Sequence, residues 1–262
     1  MKQWLVLFKK ECLEYIRNYK ILWLPLVFVL LGFSQPITLY YLPDILQKYG
    51  DLPQESVILI PNQSSVEVLA ATVSGQFDQI GILVLVLGFM GMVVTERNNG
   101  IMSLTLLRPI PYSYYITAKW AATTSLTILS LFIGYLGATY YTTILFGEVN
   151  TFTIITSFVL FILWFIFVIT LTLLFSTLFK NISVVAAISM VTIITLKLIT
   201  SLIPNWMHWS PARLVEHGVY FLKTGNAGEY LFLNIASVML LIVITLVLNV
   251  ICLKKVVLPR ME

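Results

Sequence analysis

Long apolar runs alternate along this chain with short polar segments. Runs such as IGILVLVLGFMGMVV and SFVLFILWFIFVITLTLLFSTLF are too long and too uniform for the core helices of a water-soluble domain, because about 20 apolar residues suffice to cross roughly 30 Å of hydrocarbon. Six such runs, at 21–42, 76–95, 118–146, 153–179, 183–203 and 230–253, predict an all-α integral membrane protein. They form one transmembrane domain over 21–262, preceded by an arm over 1–20. The fifth run contains Lys197. About a dozen apolar residues, each contributing about −0.3 to −0.6 kcal/mol, offset the roughly +2.5 to +3.5 kcal/mol of one central lysine, and a lysine off centre can extend toward water.

The polar segments have patterns of their own. In the arm, MKQWLVLFKKECLEYIRNYK, Leu5, Phe8, Cys12, Ile16 and Tyr19 recur at helical three-and-four spacing, with Lys10, Glu14 and Arg17 on another face. That spacing predicts an amphipathic helix lying flat in a membrane interface. Between the first two runs, residues 57–60 and 66–73 are candidates for short surface helices in what is otherwise a connecting loop. Between the last two, PNWMHWSPARLVEHGVYFLKTGNAGEY is amphipathic and aromatic, and Trp206, Trp209 and Tyr220 suit the interface. A helix is predicted there from about Ser210, with Pro211 at its first position, to about Lys223, stopping before Gly225.

The sharpest interruption, TERNNGIMSLTLLRPIPYSYYITAKW, follows the second run. It reads as a short helix that Asn98 or Asn99 caps and Pro109 stops, with Ile101, Leu104 and Leu107 on one face. A new helix then starts at Pro111 and Ser113 and carries Tyr114, Tyr115 and Lys119 into the third run. Residue types leave two uses open for the apolar face, lipid contact or docking of another protein.

Composition agrees with the pattern, at 59% hydrophobic and 11% charged residues against roughly a quarter charged in ordinary globular domains. The basic residues decide orientation by the positive-inside rule. Lys2, Lys9, Lys10, Arg17, Lys20, Arg97, Arg108, Lys119, Lys180, Lys254, Lys255 and Arg260 fall on one side, and only Lys48, Arg213 and Lys223 on the other. Both termini and the interruption are therefore expected in the cytoplasm. No small-residue cleavage pattern follows the first run, which is expected to remain as an anchor. Cys12 and Cys252 fall on the reducing side, so no structural disulfide is expected.

Chemistry-bearing motifs are few. The chain lacks GxxxxGK[ST], HExxH, Cys-x-x-Cys and GxSxG, so neither ATP binding by this chain nor a catalytic constellation is expected. His208 and His217 sit nine residues apart in a surface segment and read as interfacial histidines rather than metal ligands. No metal, no cofactor and no nucleic-acid partner is expected for this chain. The intramembrane polar candidates are Asp78, Gln79 and Lys197. Asp78 and Lys197 lie toward the same side, either as an ion pair or, in the more ordinary arrangement, as rim residues reaching water. Gly134, Gly137 and Ala138 in the third run permit close helix approach.

An amphipathic arm, six spans and the segment E-R-N-N-G-I-M-S-L-T-L-L-R-P-I-P followed by Y-Y-I-T-A-K together resemble the type-2 permease subunits of bacterial ATP-binding cassette (ABC) exporters. Glu96, Gly100, Leu106, Leu107, Pro109 and Lys119 match the recurring glutamate, glycine, paired leucines, proline and lysine of that family. The resemblance implies that the arm is an elbow helix and that 96–109 is a coupling helix docking on a separate ABC ATPase subunit. Ile101, Leu104 and Leu107 would be the docked face and Glu96, Arg97 and Arg108 its polar rim, with Gly100 and Pro109 in the same docking segment. The segment between the last two spans would be an outer-leaflet amphipathic helix or hairpin. It further implies a second permease copy, as homo- or heterodimer, in the bacterial cytoplasmic membrane, with ATP and magnesium held by the partner ATPase. The apolar, aromatic spans favour an amphipathic or lipophilic cargo such as a peptide, antibiotic or lipid-like molecule. A non-transporting membrane scaffold or sensor subunit of an ATPase complex would explain the same spans.

Overall fold

The computed structural model describes residues 2–49, 63–107 and 110–257, all helices and connections with no strand among them. Helix α1 (Lys2–Arg17) turns at Asn18 and Tyr19 into α2 (Lys20–Tyr49). Next come α3 (Ser65–Ala71), ten residues of π-helix (Thr72–Gly81), α4 (Ile82–Phe89), α5 (Val94–Asn98) and the short α6 (Ile101–Leu106). The chain finishes with α7 (Tyr112–Phe146), α8 (Thr151–Leu178), α9 (Ile182–Leu202), α10 (Arg213–Thr224) and α11 (Leu231–Val257).

Six helical stretches are long and apolar enough to cross a membrane: Lys20–Leu46, Ser65–Asn98, Tyr112–Phe146, Thr151–Leu178, Ile182–Leu202 and Leu231–Lys255. Each coincides with one predicted run, but the second and third begin earlier than apolarity alone suggests. The second begins at Ser65 because Ser64 forms a capping box, its hydroxyl accepting from the Glu67 backbone N–H and the Glu67 carboxylate accepting from its own N–H. The predicted helix at 66–73 is thus the first part of the second span, while the one at 57–60 lies outside the described residues. At 35 residues and 1.5 Å each, α7 is about 52 Å long and extends well past roughly 30 Å of hydrocarbon.

Helix α8 sits centrally, against α4, α7, α9, α10 and α11, and buries Trp164, Phe165, Val168, Ile169 and Leu173 completely. Against it α10 ends, as predicted, at Gly225, whose left-handed φ of 71° suits a residue without Cβ. Its regular part starts at Arg213, after a turn over Ser210 to Ala212. The closest helix pair is α2 with α7. A Cβ built on Gly134 would stand 2.6 Å from the Phe28 carbonyl oxygen, and one on Gly32 would stand 2.4 Å from that of Gly134. Backbones can approach this far only because neither residue carries a side chain.

Many hydroxyls inside this bundle find partners on their own helices. Thr127 donates to the Thr123 carbonyl at 2.9 Å, Ser130 to Leu126 at 2.8 Å, Thr170 to Ile166 at 2.6 Å and Thr172 to Val168 at 2.9 Å. Such bonds to the residue four back let a span carry Ser and Thr where water is absent. By contrast α2, α9 and α11 leave most of their surface uncovered.

The arm packs with a face other than its apolar stripe. Leu7, Glu11 and Tyr15 are buried, Phe8 and Cys12 are half-buried, and Leu5, Ile16 and Tyr19 face outward. Burial goes to Glu11 because a lysine on α7 pairs with it, which leaves the apolar stripe uncovered.

Candidate functional site

At the end of the bundle that carries α1, the second span breaks and the chain doubles back. The break, over residues 90–93, leaves backbone N–H groups without helical partners. The Ser176 hydroxyl on α8 accepts from two of them, Val93 at 2.9 Å and Val94 at 3.3 Å. Helix α5 follows, and its Arg97 reaches the last carbonyls of α8, donating to Thr177 O at 3.1 Å and also to Phe179 O. Asn98 donates to Lys180 O at 3.1 Å. A guanidinium on the carbonyl end of a helix satisfies orphan acceptors and opposes the helix dipole, so α5 is clamped to the end of α8.

One residue before Arg97 lies Glu96, inside a neutral cluster of four charges. Lys119 on α7, only 2% exposed, donates to Glu11 on α1 at 2.6 Å and lies 3.3 Å from Glu96. Lys10 donates to Glu11 at 3.2 Å and also to Glu96, whose other oxygen accepts from the Tyr115 hydroxyl. Two carboxylates and two ammoniums thus tie together α1, α5 and α7. Burial is tolerable because each charge meets an opposite one and a hydrogen bond. Around the cluster, Trp4 Nε1 donates to Thr117 at 3.0 Å and the Tyr15 hydroxyl lies 2.6 Å from that of Thr123. Burial, with Glu11 beside it, pushes the Tyr15 phenol well above its ordinary range.

Oxygens of Glu11, Glu14 and Glu96 approach within 4.8 Å of one another. Lys10 and Lys119 already pair with Glu11 and Glu96 of this set, so it reads as an ion-pair network.

Gly100 follows α5 with φ 74° and begins α6. That left-handed turn, rather than an asparagine cap, starts the short helix, since no side chain caps it and Asn98 is occupied with Lys180. On α6 Met102 is buried, whereas Ile101, Leu104 and Leu107 are exposed, the last two by 68% and 69%. A groove of about 560 Å³ between α6 and α1 is lined by Val6, Leu7, Ile101, Leu104 and Ile110. A second, of about 850 Å³, opens on the other side of Ile101 beside Lys9, Lys10, Glu14 and Arg17.

Of the residues assigned to a docking surface, Ile101, Leu104 and Leu107 therefore share an exposed apolar face, with Gly100 as the hinge. Glu96 and Arg97 are corrected: both are buried, one in the charge cluster and the other on α8, and neither forms a rim. Arg108 and Pro109 lie outside the described residues. The charged border comes instead from α1, a role that sequence spacing did not assign. Its signal in the sequence was the polar face of the arm, Lys10, Glu14 and Arg17, with Lys9 beside it.

The intramembrane candidates Asp78 and Lys197 are brought together partway along the spans, since the second span begins at Ser65 and Asp78 stands well inside it. Lys197 Nζ stands 2.5 Å from Asp78 Oδ2, and Trp164 Nε1 donates to Asp78 Oδ1 at 2.9 Å. The ion pair replaces the expected rim arrangement, because Asp78 is buried and its carboxylate meets the Lys197 ammonium there. Gln79 is exposed beside it. His208 is stacked on Tyr230 and its Nδ1 lies 2.9 Å from Arg213. Burial beside Arg213 holds His217 below the usual imidazole range.

Comparison with known proteins gives one family. The family model described as ABC-2 family transporter protein matches residues 5–261. A protein of Bacillus subtilis (strain 168) described as an uncharacterized transmembrane protein, YxlG, is 33% identical over 247 residues, which is 93% of this chain and 95% of that protein.

Proposed function

Because the chain belongs to the ABC-2 family transporter proteins, a family of multi-pass membrane components rather than catalytic subunits, we propose that it is the permease subunit of an ABC exporter driven by a separate ATPase. The observation that carries this reading is the exposed face Ile101, Leu104 and Leu107 on a helix otherwise anchored in the protein. Three aliphatic side chains beside a basic border suit a partner with an apolar groove and acidic edges.

In this reading the α1 end faces the cytoplasm, as the basic residues require, and both termini lie there. Two copies, identical or paired with a sister subunit, frame the path. ATP and magnesium belong to the ATPase, whose closure moves α6. The load passes through the Gly100 turn into α5, from Arg97 to the end of α8, and from Glu96 through Lys119 and Glu11 to α7 and α1. Because this cluster is rigid and fully paired, a shift of α6 moves the ends of three spans together instead of deforming a loop. Apolar, aromatic spans suit an amphipathic or lipophilic cargo.

Substituting Ile101→Asp or Leu104→Asp tests the reading. Each places a charge at the centre of an apolar contact and should abolish co-purification of the ATPase while the permease still inserts and melts normally. Undiminished co-purification would refute docking on α6. A complex that hydrolyses ATP without moving any cargo would favour a scaffold or sensor.

A further inference from the structure

Lys197 is the anomaly in the spans. It lies five residues before Leu202, the last residue of α9, about 7.5 Å along the axis, near enough for its side chain to extend toward the helix end. Instead it turns inward to an aspartate that is distant in sequence. Burying a charge among spans is costly, so what the arrangement leaves unused is informative.

The two partners are not equivalent. Asp78 is fixed from both sides, with Trp164 on one oxygen and Lys197 on the other, and its side chain is 5% exposed. It sits in the π-helical stretch Thr72–Gly81, whose wider turn departs from α-helical register; such departures recur at functional sites. Lys197 is 31% exposed. Its ammonium carries three N–H groups, and among the described residues only Asp78 takes one. It stands at the edge of the packed face of α9, formed by Val185, Ser189, Ile193 and Thr200, beside the uncovered residues Ile194 and Leu198. An acid is thus locked behind, and a cation with two free donors stands in front, at the border of an open apolar face.

We propose that Lys197, held by Asp78, which Trp164 fixes in turn, is a binding site for the anionic head group, phosphate or carboxylate, of an amphiphile lying along the uncovered face of α9. The charge carries the polarity of the choice: an incoming cation meets the ammonium first, whereas an anion finds two donors already oriented. The apolar surface at Ile194 and Leu198 accommodates an alkyl chain. That the amphiphile is cargo rests on the function proposed above; the binding itself does not, and it is measured on this chain alone.

The experiment compares equilibrium binding of dodecyl phosphate, dodecanol and dodecyltrimethylammonium to the purified protein in neutral detergent. The wild type should bind dodecyl phosphate at least about tenfold more tightly than the other two, as expected for a charge-assisted hydrogen bond. Lys197→Gln should erase that preference, and Lys197→Arg should keep most of it. Asp78→Asn should strengthen it, because the neighbouring negative charge is gone. A pair that only braces the helices predicts the reverse pattern, with Asp78→Asn and Lys197→Gln both melting earlier and head-group preference unchanged, and that result would overturn the proposal. If Lys197→Gln does not fold, the neutral double variant Asp78→Asn/Lys197→Gln replaces it, and a retained preference there overturns the proposal equally. Phosphatidylcholine nanodiscs with and without phosphatidylglycerol then separate the sources. Competition by phosphatidylglycerol assigns the anion to a resident lipid, and its absence to a mobile amphiphile; both outcomes place an anion on Lys197. Loss of ATPase docking cannot imitate any of these results.

Discussion

Replacing Lys119 with Met keeps the length and apolar body of the side chain and removes only its charge. Lys119 Nζ lies 2.6 Å from Glu11 and 3.3 Å from Glu96. At an effective dielectric constant of about 20 those separations correspond to roughly 6 and 5 kcal/mol of attraction. Against this stands the several kcal/mol of burying an ammonium, a cost that the methionine does not incur. The expected net loss is about 3 to 5 kcal/mol, the range for breaking a buried pair by removing one partner. It should fall near the lower end, because Lys10 still contacts both carboxylates. Chemical denaturation in mixed micelles gives the total, and amide hydrogen exchange over Lys2–Arg17 should accelerate, since α1 loses its main tie to α7. The double variant Glu11→Gln/Lys119→Met leaves Lys10 and Glu96 as a neutral pair. It should be more stable than the sum of the single changes by about 1 to 3 kcal/mol. A loss below about 1 kcal/mol for Lys119→Met, or strict additivity in the cycle, would refute the network as a structural tie.

Two further outcomes follow from the packing and from the arm. Gly134→Ala sets a methyl 2.6 Å from the Phe28 carbonyl oxygen; backbone cannot yield as a side chain does, so α2 and α7 must separate, at about 1 to 3 kcal/mol, and an unchanged melting midpoint would contradict the close approach. Burial, with Glu11 next to it, raises the Cys12 thiol above its ordinary value. Because the thiolate is the reactive form, maleimide labelling in a Cys252→Ser background should require a higher pH than a free thiol does, and a profile at or below that of a free thiol would show that neither burial nor Glu11 holds the Cys12 thiol up.

Much of this was legible along the chain. Six apolar runs announced six spans, because crossing hydrocarbon demands a length and composition that no other segment reaches. Their ends were less legible: the capping box at Ser64 and Glu67 extended the second span through residues too polar to be counted, and Tyr112 to Thr117 extended the third. The face Ile101, Leu104 and Leu107 followed from helical spacing. The rim did not, because burial depends on what another helix presents. Glu96 and Arg97 look like surface charges beside Asn98 and Asn99 until Lys119, Tyr115 and the carbonyl end of α8 are set around them.

The sequence by itself therefore determined the number of spans and the placement of one exposed apolar face, both of which rest on local periodicity and on the transfer of residues between water and lipid. Only the tertiary structure decided which charges meet. Glu11 with Lys119 and Asp78 with Lys197 are separated by 108 and 119 positions, and no local rule links them. Their pairing is imposed by a medium in which a charge brought in by one helix must be neutralised by another.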